Sequence, residues 1–241
     1  MVAAGERNHF VARTHLNRLI AVLPPADRRR LLKAVDPLSM TARQRLDEAG
    51  DPMKYVYFPV SGVHSIVSTL TDGGIIDVAT VGNEGMIGIP VFLGGRSTRG
   101  KAFCHVPGDV LRMRAAHFRE EVRRSRPLRT VMLRYTLAFI EQLAQHAACT
   151  RLHSIVERCA SSLLMTRDRM SADEFLLTQE LLAHMLGVRR ATVTTAAGML
   201  QHAGVIEYAR GRITIVNQKK LERVSCRCYR IVRQEYKRLL N

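Results

Sequence analysis

Acidic side chains are scarce in this chain: 21 Asp and Glu stand against 37 Lys and Arg, a formal net charge of +16 at pH 7. That imbalance favours a polyanionic partner. Long apolar runs are also missing. No stretch approaches the roughly 18 residues needed to span a bilayer, and the N-terminal MVAAGERNHF holds no apolar signal-peptide core. A cytoplasmic protein with no membrane partner is expected. The five cysteines, at positions 104, 149, 159, 226 and 228, form no CxxC pair and leave an odd thiol, which argues against a disulfide framework and for reduced side chains. The chain carries no HExxH, no P-loop lysine motif and no GxSxG elbow, so the common catalytic signatures are missing and a non-enzyme is expected. No internal repeat is evident.

What is present is clearest between Leu176 and Leu200, LLTQELLAHMLGVRRATVTTAAGML. Thr178 is placed to cap a helix with Gln179 and Glu180 in its first turn. Leu182, Ala183, Met185 and Leu186 supply its apolar stripe, and Gly187 suits a left-handed stop. A second helix is predicted from about Arg190 to His202, with Val193, Ala197 and Leu200 on one face and Arg190, Ala191, Thr194 and Thr195 on the other. Two short helices around a glycine turn form a helix-turn-helix, whose second helix can enter the DNA major groove. Val205–Tyr208 and Arg212–Val216 then read as two strands around Ala209-Arg210-Gly211, a hairpin wing with a basic tip. Residues 151–241 carry 16 basic and 8 acidic side chains, so basic density rises in this part.

Upstream the period changes. Leu16, Leu19, Ile20 and Leu23 are helically spaced, Pro24-Pro25 break the run, and Leu31, Leu32 and Val35 resume it, so residues 8–49 read as short helices. YVYFPV, VHSIVSTL, IIDVATV and KAFCHV then read as antiparallel strands separated by Ser61-Gly62, Asp72-Gly73-Gly74 and a glycine-rich stretch. Such strands suit a small barrel or jelly roll. Pro127 starts a long helix expected to reach about Ala148. Met132, Tyr135, Phe139, Leu143 and His146 follow one apolar stripe, and Leu133, Leu137, Ile140, Ala144 and Ala147 follow another. Two apolar faces need two partners, the chain's own barrel and the same helix of a second subunit. The dimer seam is assigned to the Met132 stripe. Residues 151–167 read as a separate helix, 167–174 as a polar hinge, and 218–240 as a basic C-terminal helix packing through Leu221, Val224, Cys228 and Ile231.

This order of elements, with YFPVSG at 57–62 and LTQELLAHMLGVRRATVT at 177–194, resembles the Crp/Fnr family of bacterial transcription regulators. The resemblance implies an α+β chain: a cyclic-nucleotide-binding-like β-roll sensor over 1–126, a dimerisation helix over 127–149 and a winged helix-turn-helix over 150–241. It also implies a homodimer on palindromic double-stranded DNA, with RNA polymerase as a further partner. Arg190, Thr194 and Thr195 are assigned to base edges, Arg189, Thr192, Arg210 and Arg212 to phosphates, and Thr178 and Gln179 to the DNA backbone. Cyclic-AMP binders of the family carry Gly-Glu-Leu and then Arg-Ser/Thr-Ala. Here Glu84-Gly85-Met86 imitates the first part, but Arg96-Ser97-Thr98-Arg99 lacks the Ala, so a sensor that does not bind cyclic AMP is expected, its effector unknown. No cysteine precedes Cys104, which argues against the iron-sulfur cluster of the oxygen-sensing branch, and no cofactor is assigned.

Two constellations stand apart. His146, Cys149 and His153 share a face if the helix runs unbroken, a candidate metal set, whereas Cys226-Arg227-Cys228 read within a helix would point its thiols apart and chelate poorly. The expectation is no metal. The alternative function is a cupin-like metal enzyme on the β-roll, with His64, Asp77 and His105 as the candidate ligands.

Overall fold

The computed structural model describes residues 16–47, 49–69 and 75–240. The expected Asp72-Gly73-Gly74 turn and residues 8–15 of the first helical segment lie outside these. After helices α1 (Arg18–Ala21) and α2 (Pro25–Leu32), the chain enters strands β1 (Asp36–Met40) and β2 (Arg45–Asp47). This corrects the reading of residues up to 49 as helical. Pro37 disfavours helical geometry at Asp36, and a proline is tolerated at the edge of a sheet. Among the described residues β1 is such an edge, pairing with β7 (Gly108–Arg114) in the order β1-β7-β3, with β3 spanning Tyr55–Pro59.

The second sheet runs β2-β6-β4-β5, with β4 at Val63–Thr69, β5 at Ile75–Val81 and β6 at Lys101–Val106. Their inward residues, Val56, Phe58, Val81, Cys104, Val110 and Met113 among them, share one core. Gly62 makes the turn into β4 at φ +84°, and a Cβ there would lie 2.7 Å from the Val106 carbonyl oxygen, so only glycine fits. Asn17 ties the N-terminal helices down: it is fully buried, its amide donates to the carbonyls of Pro59 and Gly85 at 2.8 Å each, and its oxygen caps α1.

After α3 (Ile89–Phe92) and α4 (Ala115–Arg124) comes the long helix α5, Arg126–Leu152. Ser125 caps it by accepting from the Leu128 amide at 3.1 Å. It runs further than Ala148 because no breaker intervenes before His153, its extended C-cap. The two stripes of α5 prove to be divided the other way from the expected seam. Met132, Tyr135 and Phe139 are buried in the chain's own core, Leu143 packs against it, and the Tyr135 hydroxyl donates to the Met86 carbonyl at 2.9 Å. Leu133, Leu137 and Ile140 are 54%, 45% and 55% exposed. Tyr135 decides the rotation, since its hydroxyl finds a buried partner only on the roll side.

A capping box of Ser154 and Glu157 starts α6 (Ile155–Met170). The stretch expected to be a polar hinge is taken up by the end of α6 as far as Met170, and a further strand, β8 (Glu174–Leu176), starts at its last residue and joins the wing strands β9 (Ile206–Ala209) and β10 (Arg212–Ile215) in the order β8-β10-β9. Helices α7 (Gln179–Leu186), α8 (Arg190–His202) and α9 (Gln218–Val224) complete this unit around Leu163, Phe175, Leu182, Val193, Ile213 and Leu221. The expected single C-terminal helix is broken. Ser225 stops α9 with an extended backbone, and α10 starts afresh at Cys228 and runs to Leu240. It lies back along α5, sinking Tyr236, Leu239 and Leu240 into the core of the roll, and leaves the expected packing residue Ile231 47% exposed.

Candidate DNA interface and its coupling to the roll

Thr178 accepts from the Leu181 amide at 3.2 Å, as its capping position requires, and Gly187 takes the left-handed C-cap of α7 at φ 63°. The chain then turns directly into α8. Val193, Ala196, Ala197 and Leu200 of α8 are buried, and the small Ala196 and Ala197 let the helices approach closely. The opposite face, with Arg190, Ala191, Thr194, Thr195, Gly198 and Met199, is exposed. Arg189, the N-cap, makes no side-chain capping bond, so part of the unpaired amide set of α8 stays available to an anion.

Of the assigned contacts, Thr178, Arg189, Arg190, Thr192, Thr194, Thr195, Arg210 and Arg212 are exposed and Gln179 is half-buried. Several are already engaged within the chain. The Thr194 hydroxyl donates to Gln179 Oε1 at 2.8 Å, so these side chains orient one another across the two helices. Arg212 forms an ion pair with Glu174 on the neighbouring strand. Arg210 and Gly211 both have positive φ, 50° and 77°, the geometry of a two-residue hairpin turn, which pushes the Arg210 side chain to the wing's tip. Met199, to which the sequence assigned no role, also lies on the outer face and is 57% exposed.

The DNA-binding unit is tied to the roll by a buried ion pair. Arg169, near the end of α6, reaches Glu84 at 2.8 Å and the Thr80 carbonyl at 3.0 Å, and both charged side chains are under a tenth exposed. Gly82 makes room, since a Cβ there would meet the Arg169 stem at 2.4 Å. Glu84 is thus held by the winged unit through Arg169. Arg169 was missed because its partner is 85 residues away. The cavity inside the roll, about 180 Å³, is lined mainly by apolar residues such as Met53, Ile87, Ile89 and Phe139, with Thr98 and Lys101; Arg96 and Arg99 do not line it.

His64, Asp77 and His105 are buried on the sheet facing the winged unit. His105 lies 3.4 Å from Asp77, whose carboxylate accepts instead from the Ser65 hydroxyl at 2.7 Å. Burial lowers His64 to about 4 and His105 to about 3, and raises Asp77 to about 6. Two neutral imidazoles and one carboxyl do not converge on a point here as cupin ligands would. Among the described residues the metal-type donors that converge lie elsewhere.

Sequence families divide the chain in the same way. Residues 37–125 match the cyclic nucleotide-binding domain and residues 157–224 match the Crp-like helix-turn-helix domain. The chain belongs to the Crp/Fnr family. Its fold is similar to FixK2 from Bradyrhizobium japonicum, at TM-score 0.66 and 18% identity over 80% of this chain and 98% of that one. It is also similar to the CRP-family regulator TTHB099 of Thermus thermophilus, at 0.65 and 18% over 78% and 96%. CLP of Xanthomonas campestris, described as a c-di-GMP responsive global regulator, matches at 0.63 and 14% over 80% and 99%. No curated protein sequence matches significantly. The chain is a Crp/Fnr-type transcription regulator with a DNA-binding helix-turn-helix.

In this Crp/Fnr regulator, residues 225–241 lie past the matched helix-turn-helix domain, and they change the reading of the cysteines. Cys226 sits in the turn before α10 and Cys228 is the first residue of that helix, so their thiols converge instead of pointing apart. Cys149 and His153, at the end of α5, meet them there. His146 does not. It lines a cavity between α5 and the winged unit, where burial and then Arg158 lower its pKa.

Proposed function

We propose that this Crp/Fnr regulator is a cytoplasmic homodimer that binds a palindromic double-stranded DNA site, with RNA polymerase as a further partner and a sensor that does not use cyclic AMP. The observation that carries the DNA reading is the outer face of α8: Arg190, Thr194 and Thr195 stand exposed beside a helix N-terminus without a side-chain cap. Arg190 suits a guanine edge bidentately, and the two threonines suit neighbouring base edges. Arg189, Thr192, Arg210 and Arg212 fit phosphates, with Thr178 and Gln179 at the backbone of the first helix.

Dimerisation moves to the stripe the chain leaves open. Leu133, Leu137, Ile140, Ala144 and Ala147 are all outside the core and recur every three or four residues, the spacing of a coiled-coil seam. On this reading residues 1–126 sense, 127–149 dimerise and 150–241 bind DNA, with α10 returning to the sensor. The mainly apolar lining of the cavity, which includes neither Glu84 nor an arginine among the described residues, supports a sensor that does not use cyclic AMP. We assign the chain no catalytic step.

Footprinting with genomic DNA tests this reading. The expected result is a protected, roughly palindromic site with half-sites about 34 to 36 Å apart, unchanged in the presence of cyclic AMP. An asymmetric single footprint, or calorimetric cyclic-AMP binding that tightens DNA binding, would refute the respective part.

A further inference from the structure

Four donor atoms from two distant parts of the chain meet beside the C-terminal end of α5. Cys149 is in the last turn of that helix and His153 is its cap, while Cys226 precedes α10 and Cys228 opens it. Cys149 Sγ and Cys226 Sγ are 3.5 Å apart, Cys228 Sγ and His153 Nδ1 are 3.5 Å apart, and all four donor atoms lie within 4.8 Å of one another. A tetrahedral zinc ion, with bonds of about 2.3 Å to sulfur and about 2.0–2.1 Å to nitrogen, sets its ligands roughly 3.5 to 3.8 Å apart. The cluster needs little contraction to reach that geometry.

Buried cysteines often do nothing more than fill space. Cys104 and Cys159 show that behaviour, each buried in a large apolar core away from other thiols. The other three form a group of their own, and polar groups face their sulfurs. The Gln145 amide donates to Cys228 Sγ at 3.0 Å, and the Ser161 hydroxyl lies 3.0 Å from Cys226 Sγ. Donors aimed at sulfur are what a metal thiolate needs around it, because they spread the excess negative charge of three thiolates on one dication. Cys228 also opens a 13-residue helix, whose N-terminus favours a thiolate.

We propose that Cys149, His153, Cys226 and Cys228 form a closed structural site for a zinc-class metal ion. Three sulfurs and one imidazole make a soft, four-coordinate set that selects zinc over magnesium or calcium, and four protein ligands leave no open position for a catalytic water. The ion clamps the start of α10 to the end of α5. Since Tyr236, Leu239 and Leu240 already bury the far end of α10 in the roll, loading fixes that helix at both ends. The site stands independently of the DNA-binding reading.

The test uses the full chain, prepared under reducing conditions and desalted. Elemental analysis should find about one zinc ion per chain, and cobalt substitution should give the strong visible spectrum of a tetrahedral thiolate site. Zinc should protect Cys226 and Cys228 from alkylation. Cys226→Ser and Cys228→Ser should lose the ion, while Cys104→Ala keeps it. Should the serine variants not fold, Gln145→Leu leaves every ligand in place and should weaken zinc binding roughly 10- to 100-fold. Wild-type chain that takes up neither zinc nor cobalt would overturn the proposal. So would retention of the ion by both serine variants, or a Cys149–Cys226 disulfide in place of the metal under reducing conditions.

Discussion

The two helices α5 and α8 each carry one face that the chain covers and one that it leaves open, and the open faces differ in kind. On α5 the uncovered residues are Leu133, Leu137 and Ile140. On α8 they are Arg190, Thr194 and Thr195. An exposed apolar stripe gains by meeting another apolar stripe, whereas an exposed basic and hydroxylated face loses nothing in water and gains only from a charged, hydrogen-bonding partner. The chemistry left open is what supports the partners proposed above, a second copy of the chain for α5 and nucleic acid for α8.

The sharpest way to break this comparison is to charge the covered face of α5. Phe139 is 9% exposed and packs against Tyr135 at 6.1 Å between ring centroids. Phe139→Asp would bury an unpaired carboxylate and should cost about 3–5 kcal/mol, unfolding the roll in a denaturant titration. An intact, equally stable variant would mean that this face is not core.

Acid attacks a different covered face, the one between the roll and the winged unit. His64 and His105 are depressed by burial to about 4 and about 3 in the folded chain. Below the unfolded imidazole pKa of roughly 6.5 the unfolded chain takes up protons that the folded one refuses, so stability falls as pH drops. Asp77, raised by burial to about 6, works the other way, gaining a proton in the folded state first. Two imidazoles outweigh one carboxyl, and near pH 5 the net slope should be on the order of 1.4 kcal/mol lost per pH unit. Urea midpoints between pH 7 and 5 measure it. His105→Leu should flatten the curve, and an unaltered slope would place the titration elsewhere.

The open face of α5 should respond without loss of fold. Leu137→Ala together with Ile140→Ala removes up to about 1.5–3 kcal/mol of burial per side chain from a dimer seam and little from the monomer. Sedimentation should show dissociation at concentrations where the wild-type chain is paired, with the monomer's melting temperature unchanged. A dimer of unchanged affinity would move the seam away from α5.

Which parts of this were legible in the sequence follows from how local each is. The helix-turn-helix and wing depend on Thr178, Gly187 and Gly211, each acting within a few residues, and all three sit where the pattern places them. Four strands of the roll were legible from alternation. β1 was not, because its pairing with β7 joins Asp36 to Arg112 and overrides the helical look of the neighbouring leucines. Periodicity found both stripes of α5 but carries no information on which stripe the chain turns inward. The Cys-His cluster was hidden twice over. Its halves are about as far apart in the chain as Cys149 and Cys226, and the break at Ser225 that lets the thiols converge has no glycine or proline to announce it.

The finest division lies within the open, basic surface itself, between Arg190 and Arg212. Arg190 is exposed on the outer face of α8, where a guanidinium meets a base edge when the helix enters the groove. Arg190→Ala should cost about 1–3 kcal/mol on the specific site and relax preference at one base of each half-site. Arg212 sits on the wing and is already paired with Glu174. Moving it to a phosphate exchanges one exposed carboxylate partner for another anion, so its net contribution should stay within the roughly 0–1 kcal/mol of a surface ion pair. Arg212→Ala should weaken specific and random DNA alike and lower the slope of log affinity against log salt by about one phosphate contact. Glu174→Gln gives the opposite sign, since it frees Arg212 for the backbone. Titrations of all three variants on operator, single-base operator variants and random DNA across a salt series separate the roles. Equal losses on specific and random DNA for Arg190→Ala would remove it from the base edge, and a base-selective loss for Arg212→Ala would place the wing in the groove.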